Sequence, residues 1–254
     1  MYRELSTILN WPEPHFPTGK FILIRDSLEA DGAVLLPHFV FGYLKANKRA
    51  LLVGLEQSFF HYSGVGRKLA CNLKAAQTKQ QFMYINALST PYDWSAPSTS
   101  SAPAVAATPG LDSWSLGENE DAAFKSLYHK VKAFVESSEA MDEVCIVIDN
   151  LSVLLETCQR PALVLDLVHY LQAFIRRTEN RASLVVLVHG DVEDDQKLVK
   201  ALEHRADIIM SASGLPSGYS KEVNGQLLVH GNGVPQSKLL HFKSHDNTVR
   251  FMSK

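Results

Sequence analysis

Four stretches of the chain are dense in Leu, Ile, Val and Phe over the length of a strand: 20–25 (KFILIR), 49–55 (RALLVGL), 144–149 (VCIVID) and 184–189 (LVVLVH). None alternates apolar with polar, which is the pattern of strands buried on both faces of a parallel sheet. A shorter run, 82–86 (FMYIN), reads the same way. Between these runs the apolar period lengthens to that of a helix. The spacing predicts helices over 33–45, with Pro37 tolerated near the first turn, and over 57–73, weakened in the middle by Gly64 and Gly66. Further helices are predicted over 121–136, 161–176 and 193–204. Their buried stripes include Phe124, Leu127 and Val131, then Val164, Leu167 and Leu171, then Leu198 and Leu202. After residue 206 the rhythm changes to short strands at 207–211, 225–230, 238–243 and 248–252. They are separated by SGLPSG, HGNG and HDN, the turn chemistry of hairpins.

Strands alternating with helices imply parallel pairing through right-handed crossovers. The expected fold class is therefore α/β: a mostly parallel sheet with helices on both faces and antiparallel hairpin strands at its C-terminal edge. No second core is demanded, so residues 1–254 read as a single domain. Residues 1–19 carry Pro12, Pro14 and Pro17 and read as an extended lead-in. From 89 to 110 the chain turns almost wholly to Ser, Thr, Pro, Ala and Gly, and no Lys or Arg lies between Gln80 and Phe124. The segment 89–117 is expected to be a disordered insertion, because it has too little apolar surface to offset the entropy of ordering it.

Composition narrows the class. Hydrophobic residues at 46% and charged ones at 20% exclude wholesale disorder. Twenty-five Lys+Arg against 27 Asp+Glu leave a net charge of -2, so the chain as a whole is no polycation. Three cysteines, Cys71, Cys145 and Cys158, without a CxxC pair point to a reducing compartment rather than a disulfide scaffold. The apolar stretch 33–41 is too short to span a bilayer and is broken by Pro37 and His38. The expectation is a soluble intracellular protein with no membrane contact.

In an open parallel sheet a ligand sits beyond the carboxyl ends of the strands, and a phosphate cradle would follow the first of them. A P-loop needs two glycines, a lysine and a hydroxyl residue at fixed spacing. Here the turn runs from Asp26 to Val34. With Gly32 as the second glycine, Ser27 replaces the first, Ala33 the lysine and Val34 the hydroxyl residue. Asp26, Glu29 and Asp31 add negative charge where a triphosphate would lie, each pair at contact being repulsive by roughly 1 to 4 kcal/mol. Strand 144–149 ends in Asp149, the place of a magnesium-orienting carboxylate, followed by Asn150. Such an aspartate also caps the next turn in proteins that bind no metal. Gly64-Val65-Gly66 lacks the third glycine and the preceding strand of a dinucleotide site. Ser152 sits in no nucleophile elbow, and the histidines show no metal spacing. His189 and Asp191 form a candidate acid–base pair, and Glu193-Asp194-Asp195 suits a helix N-terminus. No catalytic, cofactor or metal residues are assigned.

The order of a lost P-loop, a strand ending in Asp, a further buried strand and closing hairpins resembles a RecA-type ATPase core. More narrowly, the chain resembles the sixth-subunit family of the Elongator complex. The residues that carry this are Arg25-Asp26-Ser27, Ala30-Asp31-Gly32 and Leu35-Leu36-Pro37-His38-Phe39. With them go Leu52-Val53-Gly54-Leu55-Glu56-Gln57-Ser58-Phe59, His61-Tyr62 and Val147-Ile148-Asp149-Asn150-Leu151-Ser152. The resemblance implies a RecA-like subunit without its own P-loop, cofactor or catalysis. It implies a hetero-hexameric ring with Elongator subunits four and five that docks on the catalytic subunits. It further implies tRNA contact by the assembled ring, support for wobble uridine (U34) modification, and a cytoplasmic and nuclear location. The resemblance also implies that the chemistry belongs to another subunit, which carries an iron–sulfur cluster. Loops 156–161 and 190–196 correspond to nucleic-acid loops of RecA-like proteins. The first offers Arg160 as an RNA contact and the second is acidic. Two other readings stand beside this one: a RecA-type ATPase of the KaiC or recombinase-paralogue kind with an unorthodox phosphate loop, and a small-molecule enzyme using His189 and Asp191.

Overall fold

A computed structural model describes residues 3–11, 16–87, 111–137, 142–179, 181–232, 234, 236–245 and 248–253. The central parallel strands are β1 (Phe21–Asp26), β2 (Arg49–Gly54), β3 (Phe82–Asn86), β4 (Leu111–Ser113), β5 (Val144–Asp149), β6 (Ala182–His189) and β7 (Ile208–Ser213). Three antiparallel strands, β8 (Gly225–Gly231), β9 (Lys238–His245) and β10 (Thr248–Ser253), complete one ten-stranded sheet. Its order is β10-β9-β8-β7-β1-β6-β5-β2-β3-β4.

Strand alternation divides the apolar side chains between two cores. Ile22, Ile24, Leu52, Val147 and Leu187 face one side, beneath α1 (Arg3–Ile8), α2 (Leu36–Lys45), α3 (Phe59–Lys68) and α4 (Leu73–Thr78). Phe21, Leu23, Val53, Ile148 and Val186 face the other, beneath α5 (Glu120–Glu136), α6 (Ser152–Thr157), α7 (Ala162–Arg177) and α8 (Gln196–Arg205). This two-sided burial is why the central strands carry no polar alternation.

The structure departs from the sequence expectations at four places. The lead-in 1–19 contains a helix, α1, which packs on β10, and the Phe251 N–H donates to the Glu4 carboxylate at 2.8 Å. Residues 12–15, with two of the three prolines, lie outside the described residues. The helix expected over 57–73 is two helices. Ser58 caps α3, Ala70 takes a left-handed conformation (φ 54°), and the Cys71 N–H closes on the Gly66 carbonyl at 2.7 Å. Asn72 then caps α4. A Cβ at Gly66 would press on that Cys71 carbonyl, so this turn requires glycine. Residues 88–110 of the expected insertion lie outside the described residues. Residues 111–117, by contrast, form β4 beside β3 and bury Trp114 and Leu116. Helix α6 directly follows the β5 end, where none was expected.

Candidate functional site

Four adjacent strands, β1, β6, β5 and β2, end side by side at Asp26, His189, Asp149 and Gly54, with Asp26 level with His189 and Gly54 level with Asp149. A depression of about 480 Å³ lies there, its lining including Asp26, Ser27, Asp31, Glu56, His189 and Asp191. This is where a doubly wound sheet binds its ligand.

The loop after β1 is folded on itself. The Ala30 N–H donates to the Ser27 carbonyl at 2.9 Å, which draws the turn tight. The Gly32 N–H donates to Asp26 Oδ2 at 2.9 Å, the Ala33 N–H to Asp31 Oδ1 at 2.7 Å, and the Leu28 N–H to Asp191 Oδ2 at 2.7 Å. Amides in such a loop are what wrap a phosphate in a P-loop. Here three of them already face carboxylates of the same chain. Gly32 allows the fit: a Cβ there would meet Asp26 Cβ at 2.9 Å and Ile24 Cγ2 at 3.0 Å.

Asp149 is equally engaged. Its Oδ1 accepts from the Leu55 and Glu56 amides at 2.6 and 2.9 Å. Its Oδ2 accepts from the Gln57 amide at 3.2 Å and from the Tyr62 hydroxyl at 2.7 Å. A carboxylate has about four acceptor positions, and four donors meet this one. The residue is 1% exposed. Burial raises its pKa and the four donors oppose that rise. Asp149 therefore caps the β2–α3 turn and has no lone pair open to a cation.

A side-chain relay crosses the remaining strand ends. His189 Nδ1 meets Asp26 Oδ1 at 2.7 Å, and Asn150 Nδ2 lies 2.7 Å from both His189 Nε2 and Glu56 Oε2. The Asn150 amide can only donate from Nδ2, so the tautomer that suits this network carries its proton on Nδ1, toward Asp26. Burial alone lowers the His189 pKa, but the bond to Asp26 and the charges of Asp26, Glu56 and Asp191 outweigh it, and the net shift is upward. Burial raises Asp26 against the pull of His189 and Gly32. Asn150 adopts a left-handed φ of 53°, which Asn tolerates better than most residues, and this aims its amide along the crevice. Ser152 Oγ accepts from the His189 amide at 2.9 Å and is buried, so it is an anchor and not a nucleophile.

The candidate acid–base pair of His189 with Asp191 does not form. His189 pairs with Asp26, which sits in register beside it, while Asp191 closes the β1 loop. Gly64 and Gly66 lie inside α3 and cradle nothing. Arg160 is held by Asp121 and lies 3.6 Å from Glu120, whose carboxylate also accepts the Gln159 and Arg160 amides. Among the described residues no group of three or more His, Cys, Asp or Glu is placed to hold a metal, and no helix is long and apolar enough to cross a membrane. Glu56, Gln57 and Tyr62 had no sequence signal as partners of Asp149 beyond standing just after a buried strand. Gly54 completes the packing here: a Cβ would land on the Tyr84 hydroxyl, which donates to the Gln57 carbonyl at 2.7 Å. Gly54→Ala is expected to lower stability by about 2 kcal/mol through overpacking, read as a shift of the urea midpoint at unchanged slope.

Solved structures with this architecture include an uncharacterized Pyrococcus horikoshii protein crystallised with an unknown peptide. It has a TM-score of 0.66 at 13% identity, covering 99% of this chain and 97% of that one. A KaiC-like protein of the same organism aligns with a TM-score of 0.59 at 12% identity, covering 93% and 91% of the two chains. The flagellar accessory protein FlaH of Methanocaldococcus jannaschii gives 0.63 at 13%, covering 100% and 96%. The fold is that of a RecA/KaiC-like α/β protein, and the crevice at its strand ends is latched by the chain's own carboxylates. The family model described as Elongation complex protein 6 matches residues 2–246. Elongator complex protein 6 of Xenopus tropicalis and of Homo sapiens are each 33% identical, over all of this chain and 97% of their own lengths. That of Dictyostelium discoideum is 26% identical over 98% of both. The chain belongs to the Elongation complex protein 6 family.

Proposed function

We propose that this chain is a non-catalytic, RecA-like subunit of Elongator that binds and hydrolyses no nucleotide of its own. In this reading it assembles with Elongator subunits four and five into a hetero-hexameric ring, which docks on the catalytic subunits. The ring contacts tRNA and supports U34 modification, in the cytoplasm and nucleus. The observation that carries it is the loop after β1, where the Gly32, Ala33 and Leu28 amides are held by Asp26, Asp31 and Asp191. Family membership supports the partner assignment, and the net charge of -2 supports RNA affinity summed around a ring over a strong site on one subunit. Arg160 is the candidate contact on this chain, and a phosphate there competes with Glu120 and Asp121.

The experiment is native mass spectrometry of the chain alone and after co-expression with subunits four and five, paired with a thermal shift in Mg-ATP. A ligand at a hundred times its Kd adds about 2.7 kcal/mol, or roughly 5–10 °C for a chain of this size. The expected results are a defined heteromeric ring and no shift for the isolated chain. Indifference to both partners removes the ring, and a nucleotide-dependent rise in Tm returns the ATPase reading.

A further inference from the structure

The relay at the strand ends suits one protonation state only. With the imidazole neutral, Nδ1–H donates to Asp26 Oδ1 at 2.7 Å and Nε2 accepts from Asn150 Nδ2 at 2.7 Å. The same Nδ2 donates to Glu56 Oε2 at 2.7 Å. The Ser152 N–H donates to Asn150 Oδ1 at 3.2 Å, and this fixes which end of the amide faces the ring. A proton on Nε2 turns the contact with Asn150 into donor against donor. Turning the amide over does not repair it, because Nδ2 would then meet the Ser152 N–H and Oδ1 the Glu56 carboxylate. A solvent proton can reach the ring, since the His189 side chain is 34% exposed. The charges on the elements around it are Asp26 and Asp31 from β1 and its loop, Glu56 after β2, Asp149 ending β5 and Asp191 after β6. Asp149 is saturated by its four donors, and Arg25, beside Gly190, pairs with Glu203 at 2.5 Å. Among the described residues the crevice lining holds no Lys or Arg.

We infer that His189 is a proton-operated clamp: once protonated, its Nε2–H leaves Asn150 for the Glu56 carboxylate. One cation then ties together the ends of β1 and β2, which are not neighbours in the sheet. Asn150 Nδ2 lies 2.7 Å from both groups, so they are no farther apart than twice that distance. The Glu56 side chain is exposed and able to turn into the gap, while its backbone N–H stays on Asp149. The change swaps a neutral relay for two charge-assisted bonds. It also takes one negative charge off the crevice and releases the Asn150 amide into it. Burial opposes the proton, but the Asp26 bond and the charges of Asp26, Glu56 and Asp191 outweigh it, and the pKa lies above the ordinary 6.5. Burial raises Asp26 too, while His189 and the Gly32 amide favour its ionised form. The stability that His189 adds is therefore present below pH 6.5 and is lost as the pH rises through the folded pKa. The clamp is a property of this chain by itself, and its failure would leave the ring reading untouched.

The test is nitrogen-15 NMR of the full chain, labelled at histidine and asparagine and titrated from about pH 5 to about pH 9. His189→Gln and Asn150→Gly serve only to assign the two signals. At the alkaline end the ring is expected to show Nδ1 protonated and Nε2 bare. At the acid end both nitrogens are protonated, with a midpoint above 6.5. The Asn150 side-chain signal should move with that same midpoint. Glu56→Gln keeps the reach and removes the charged acceptor, and is expected to lower the midpoint by about 1 pH unit, a tenfold loss of proton affinity. Glu56→Asp keeps the charge but withdraws it, and should give at least half of that fall. Glu56 is exposed, and unchanged Tm values at the alkaline end confirm that both variants fold. The inference is overturned if neutral His189 carries its proton on Nε2, or if the Asn150 signal ignores the titration. It is equally overturned if Glu56→Gln leaves the midpoint in place, or if Glu56→Asp titrates like wild type.

Discussion

Between pH 6.5 and pH 3 the protein is expected to lose roughly 4 kcal/mol of stability through a single side chain, His38. His38 lies on α2 with no exposed surface, in edge-on contact with Phe39 at 5.4 Å and Phe16 at 5.3 Å. Burial penalises its charged form and lowers its pKa from 6.5 to about 3. In the unfolded chain the imidazole takes up a proton near pH 6.5, while in the fold it stays neutral to about pH 3. The contribution is therefore fully present above pH 6.5 and falls away as the pH drops toward 3. Other groups titrate in this range, and Asp26 and Asp149, whose pKa values are raised, push the opposite way. The difference between wild type and His38→Leu isolates the histidine. Urea midpoints of the two proteins should diverge above pH 3 with a slope that disappears above pH 7. Parallel profiles across that window would show that the imidazole is charged inside the fold.

Asp149→Ala is the second large effect, expected at about 3–5 kcal/mol. The substitution leaves three backbone amides and the Tyr62 hydroxyl facing a hole where one carboxylate had met them all. Tyr62→Phe removes a single donor and should cost about 1–2 kcal/mol. The pair of variants separates a structural aspartate from a metal-holding one. In a working ATPase the magnesium-orienting carboxylate keeps open lone pairs, and removing it abolishes turnover while the fold is largely spared. Here the expected outcome is reversed: a large fall in Tm for Asp149→Ala, in a protein whose Tm is expected not to respond to Mg-ATP. A stable, folded Asp149→Ala protein would contradict the capping role.

The central strands were plain in the sequence because burial on both faces leaves nothing polar to disguise them. All four dense apolar runs appear as β1, β2, β5 and β6. Helix α1 was not plain: its six residues are held by packing on β10 and by one bond to Phe251, partners far away in the chain, while the nearby prolines dominate any local reading. Strand β4 is similarly silent, since Leu111–Ser113 joins the sheet through its backbone beside β3. At the strand ends the sequence showed that the phosphate loop carried the wrong charge. It did not show where that charge goes. Asp26, Asp31 and Asp191 each find a specific amide, and such pairings depend on how tightly a loop folds, which residue identities alone do not encode. The His189–Asp26 bond was missed for a related reason. Register across two parallel strands sets the partner, and nearness in sequence to Asp191 does not.

The contact between α1 and β10 also orders events in time. Strand β10 is the last in the sheet order, Glu4 and its helix lie against it, and an open sheet edge invites pairing with other chains. Glu4 and Phe251 stand 247 positions apart, so the helix is made well before the strand it covers. Closing so long a loop is entropically slow and comes late. The order expected from chain topology is therefore the sheet first and this border last.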